Sequence, residues 1–244
     1  GAVTNSAVIN SSGTGVTSQS ITVNNAASVS VVAQTGDAQI GSSGNQTLNI
    51  TGAASANALT VGSASSTNIS EIFGNNQSIT AGTTGNLNGS ITILGGTGIG
   101  KPSGIRNTGG TQTVSTFGTQ ANAGTLTITG GTAAGTAGGC GAALTGSCAF
   151  VNNTVATQQT ITANKIILQG GGVSTTGSNN SAGIFVNGGN LKIDVNGVGA
   201  NGGLFVLGGG GDPVLGSNNA TIGGGNSSGG TFNINVVGNT TLTG

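Results

Sequence analysis

The acids of this chain are Asp37, Glu71, Asp194 and Asp212, the bases are Lys101, Arg106, Lys165 and Lys192, and there is no histidine. General acid–base chemistry, and glycoside hydrolysis in particular, needs two carboxylates, or a carboxylate with a basic partner, in one cleft. The four acids are scattered over separate segments with no paired spacing, and no Trp or Tyr is present to line a sugar cleft. The residues therefore point away from an enzyme. Cys140 and Cys148 bracket the small-residue segment CGAALTGSC. Two cysteines without histidine are too few for a structural zinc site, and their spacing is not that of a CxxC redox pair. A disulfide closing this loop is preferred to two unpaired thiols, and it implies an oxidising compartment.

Three glycine-rich stretches invite a cofactor reading and fail it. Gly197 to Gly202, GVGANG, has the spacing of a dinucleotide fingerprint, but GLFVLGGG follows it instead of a helix whose N-terminus could hold a pyrophosphate. Gly95 to Lys101, GGTGIGK, resembles a phosphate loop, yet Pro102 stands where the magnesium-binding Ser or Thr belongs. Gly208 to Leu215 carries one acid, Asp212, with no second copy to complete an oxygen cage for calcium. No cofactor and no metal are expected. Four Lys and Arg residues make no basic patch, so nucleic acid is not an expected partner.

The elements that must carry these residues are strands. In TQTVSTFGTQANAGTLTITGG, residues 111–131, the run Thr125 to Thr129 alternates strictly, so Leu126 and Ile128 should face a core while the threonines face out. The plan recurs in SQSITVNN, GNQTLNITG, NNQSITAG and TQQTITANKIILQGG. The glutamine before each strand stands at Gln19, Gln46, Gln77, Gln112 and Gln159, with intervals drifting from 27 through 31 and 35 to 47 residues. Drifting periods of this size signal a repeat array with insertions in its turns. With 51 glycines, 3% charged residues and no long helical stripe, the composition fits an all-β chain, and zero net charge with positive mean hydropathy argues against disorder.

The expected architecture is a single domain over residues 1–244, a β-solenoid of about ten coils and 45 to 50 Å at about 4.8 Å per coil. Loop insertions are expected near 97–110 and 132–150. Phe185, Phe205 and Phe232 recur in similar segments and are expected to stack inside the coils. Gln46, Gln77, Gln112 and Gln159 could form a side-chain ladder along the axis, on polar faces turned to solvent with Thr, Asn and Ser. Lys192 and Asp194 share an outward face. No apolar run is long enough to span a bilayer and no signal peptide is visible, so membrane insertion is not expected, and if the chain is secreted it is expected to be a mature form or an excised segment.

GNQTLNITG, NNQSITAG, TQTVSTFG with TLTITGG, and TQQTITANKIILQGG with NNSAGIFVNGG resemble the degenerate repeats of bacterial large exoproteins of the filamentous-haemagglutinin type. The resemblance implies a right-handed parallel β-helix, export across an outer membrane, and a role in adhesion, aggregation or surface fibres. The leading expectation is an extracellular structural subunit that stacks head to tail on itself in surface or matrix filaments such as those of a biofilm. An adhesin segment touching cell surfaces through its loops is the alternative. An ice-binding solenoid is the third, on the strength of Thr125, Thr127 and Thr129 with Thr111 and Thr113.

Overall fold

A computed structural model of the chain describes residues 6–12, 18–25, 28–51, 57–83, 89–118, 124–132, 135–136, 147–154, 156–172, 177–178, 180–210, 218–224 and 230–244. They form an all-β structure of parallel sheets, and the longest helical element among them is the three-residue turn Gly199–Asn201. No helix among the described residues is long and apolar enough to cross a membrane.

The strands fall into three ladders that the chain visits in fixed order, tier after tier. The first tier is Ala7–Ser11, Ser18–Asn24 and Ser28–Val31. In the second and third, one long strand, Ala38–Thr51 or Ser70–Ala81, serves the first two ladders, followed by Asn57–Gly62 or Gly89–Leu94. The fourth is Ser103–Asn107, Gly110–Thr116 and Thr125–Thr129, and the fifth is Ala149–Asn153, Ala156–Ala163 and Lys165–Gln169. The sixth is Ala182–Val186, Asn190–Val195 and Gly203–Leu207, and the seventh is Ala220–Gly224, Phe232–Val236 and Thr240–Thr243. The two long strands join the first and second ladders into one curled 12-stranded sheet, and the third ladder is a separate 7-stranded sheet. Gly135–Thr136 and Gly177–Ser178 pair apart from both.

Period-2 alternation sets the register. In the third ladder Leu126 stacks between Ile91 and Ile166, and Ile128 between Ile93 and Leu168, all fully buried. In the second, Leu48, Ile79, Val114, Ile161 and Ile193 form one buried file, and in the first Ile72, Ile105, Val151 and Ile184 form another. A slip of one residue would turn every one of these files to solvent, so burial fixes the pairing.

Three expectations are corrected here. The described residues form seven tiers instead of about ten, because the interval between tiers grows to 35 and 47 residues where the chain makes detours between strands. The segment near 97–110 is not a loop insertion over its whole length: Ser103–Asn107 is a largely buried strand of the first ladder. Of the segment near 132–150, residues 133–134 and 137–146 lie outside the described residues, while Ala149–Asn153 is a fully buried strand.

Candidate functional site

The bend between the first and second ladders leaves backbone carbonyls to satisfy, and in the first three tiers a glutamine two residues before the central apolar residue of the second ladder reaches one. The amide nitrogen of Gln19 donates to the Gly41 carbonyl at 3.0 Å, that of Gln46 to Ile40 and that of Gln77 to Ile72. The same amides also run along the stack. Gln46 Nε2 donates to Gln19 Oε1 at 2.9 Å, Gln77 to Gln46 at 2.7 Å, Gln112 to Gln77 at 2.8 Å and Gln159 to Gln112 at 2.7 Å. The structure thus brings Gln46, Gln77, Gln112 and Gln159 into one continuous line with Gln19. Their position corrects the expectation of a solvent-facing ladder, since all four are at most 2% exposed and point into the core. Leu191 occupies the next tier, so Gln159 Oε1 ends the line as a buried acceptor without a partner.

The outer face of the second ladder is the counterpart of this interior line. Alternate residues of five successive tiers give one outward file, Ser20, Thr47, Ser78, Thr113 and Thr160, and a second file, Thr22, Asn49, Thr80, Ser115 and Thr162. Lys192 and Asp194 take over both files in the sixth tier, where they form an ion pair at 2.7 Å. On the third ladder the file Ser30, Thr60, Thr92 and Thr127 is succeeded by Ile167 and Phe205.

The three phenylalanines expected to stack do not meet. Phe185 faces outward on the first ladder between Asn152 and Gly223, Phe205 faces outward on the third ladder with Lys165 5.0 Å from its ring, and Phe232 lies in the second ladder's last tier, half-exposed. Their segments look alike but sit in different ladders, because GIFV, GLFV and TFNI fall at different points of a tier. Leu126 and Ile128 are in the core of the third ladder.

The outer face of the first ladder carries the groups that composition alone did not pair. Arg106 donates from Nε to Glu71 Oε1 at 2.6 Å and from Nη2 to Oε2 at 3.0 Å, with the Phe73 ring 5.8 Å from the guanidinium. Beside them Phe150 is fully buried, and Gly104 makes room for it: a Cβ there would lie 2.5 Å from the ring. Asn152 is fully buried with neither amide atom bonded. Arg106 stands opposite Phe73 and Glu71 opposite Gly104, so the ion pair reaches diagonally between tiers and the glutamine spacing, which follows the register of the second ladder, does not mark it. Cys148 is buried and disulfide-bonded, while Cys140 and Asp212 lie outside the described residues. Among the described residues no group of three or more His, Cys, Asp or Glu could hold a metal ion.

Both end tiers present apolar side chains. Ile9 and Val8 are exposed at one end, and Phe232, Ile234 and Leu242 at the other, where Leu204, Ile222, Ile234 and Val236 line a concavity of about 690 Å³. Comparison of the chain with protein-family models, with curated proteins and with solved structures finds no match.

Proposed function

We propose that the chain is a right-handed parallel β-helix of the large-exoprotein type and that it serves, outside the cell, as a non-enzymatic structural rod stacking end to end into surface or matrix filaments. The observation that carries this reading is the match between the two end tiers. The inward residues of the last tier, Ala220 and Ile222, then Ile234 and Val236, repeat Ala7 and Ile9, then Ile21 and Val23, of the first tier. A second copy set on the end therefore continues the first and second ladders as an internal tier does. Such an interface is heterologous and does not close, and its product is a filament. Zero net charge leaves little repulsion between copies.

Electron microscopy of the purified chain, with the Ile234→Lys variant beside it, tests this. The half-exposed Ile234 lies at the end of its ladder, so the variant keeps its fold and loses the filaments. Filaments of undiminished length from Ile234→Lys, at unchanged melting, contradict end-to-end stacking. A second reading, an adhesin contacting cell surfaces through its insertions, is favoured by the pairing of Gly135–Thr136 with Gly177–Ser178 outside the two main sheets. Cell binding that is lost on shortening those insertions, with no filaments formed, supports it.

A further inference from the structure

We propose that the outer face of the second ladder binds the surface of ice. The proposal goes beyond the structural role and does not depend on filaments. The strand geometry sets the pattern: neighbouring tiers lie about 4.8 Å apart and alternate residues of a strand about 6.6 Å apart. Two outward files over five tiers therefore make a two-dimensional array of hydroxyls, interrupted by the carboxamide of Asn49, with spacings of the order of those between oxygen rows in hexagonal ice. Thr47, Thr80, Thr113 and Thr162 make no side-chain hydrogen bond among the described residues. Each hydroxyl keeps a donor and two acceptor sites for lattice water, and each threonine methyl offers apolar surface next to it. Ser115, only 7% exposed, also has no side-chain partner among the described residues.

Rigidity and charge single out this face. Behind it lie fully buried Leu48, Ile79, Val114 and Ile161 and the glutamine line, which ties successive tiers to one register. A surface ordered on folding has little conformational entropy left to lose when it meets an ordered lattice. Five tiers of the two files contain no charged residue. The first ladder's outer face carries Glu71, Arg106 and phenyl rings, and the third ladder's hydroxyl file gives way to Ile167 and Phe205, so neither offers the same array.

The test is thermal hysteresis together with partitioning of the protein into slowly grown ice, using the whole chain, Thr113→Lys in the middle of the face and Thr92→Lys on the third ladder. The expected result is hysteresis and enrichment in ice for the unaltered chain and for Thr92→Lys. Thr113→Lys should lose about tenfold in ice enrichment, a factor of the size that one disrupted contact of about 1.4 kcal/mol gives. Circular dichroism melting should be the same for all three. Exclusion of the unaltered chain from ice overturns the proposal, as does undiminished ice binding by Thr113→Lys or equal loss in Thr92→Lys.

Discussion

Gln112 is both donor and acceptor in the buried amide line, and it shows what a polar side chain does inside this core. Replacing it with Leu leaves Gln77 Oε1 without its donor and Gln159 Nε2 without its acceptor. Each orphaned buried group costs about 1 to 3 kcal/mol, so Gln112→Leu should lose roughly 2 to 5 kcal/mol. Gln159→Leu removes one bond but also removes an acceptor that is already unpartnered, and should lose less than about 1 kcal/mol. Urea unfolding of the two variants compares them, and equal losses would show that the line contributes nothing as a line. The outward ion pair is asymmetric in the same way. Arg106→Ala strands Glu71, whose side chain is 6% exposed, and should cost roughly 2 to 4 kcal/mol. Glu71→Ala leaves an arginine that is 34% exposed and able to reach water, and should cost only about 1 kcal/mol.

At the scale of the strand, alternation carries the information. Thr125 to Thr129 is legible because strict period 2 admits only one division of faces, and Ile128→Asp should unfold the third ladder by placing an unpaired charge among Ile93 and Leu168. Phe205→Asp should be tolerated within about 1 kcal/mol, since the ring is outward and part-exposed, and thermal melting of the pair separates the two positions. Similarity between GIFV and GLFV suggests equivalent positions and places Phe205 inside, whereas the two segments are strands of one and the same tier, with Asn190–Val195 between them, and so belong to different ladders. Ser103–Asn107 was illegible for a different reason. SGIRN has one apolar residue and a charge, and what makes it a strand is Ile105 filling the file between Ile72 and Val151 and a carboxylate 35 residues away that pairs with Arg106. The glutamine line was legible in spacing, but its burial was not, because the bend carbonyls it satisfies exist only once the strands are folded.

At the largest scale, the seven tiers of the described residues, at about 4.8 Å each, make a stack about 34 Å long, shorter than repeat counting from the sequence suggests. The parallel all-β class followed from composition and alternation together, because few charges and few helix formers left no other way to bury the aliphatic residues. The number of tiers did not follow, because the detours between strands carry no apolar periodicity to mark them. The central claim is that the tiers stack in one continuous register that a second copy can extend. Fibre diffraction from aligned filaments of the native protein tests it most directly. The account predicts a meridional reflection near 4.8 Å with an axial repeat of about 34 Å or a simple multiple of it. Filaments that lack the 4.8 Å meridional reflection, or a protein that stays as isolated particles at every concentration, would contradict it.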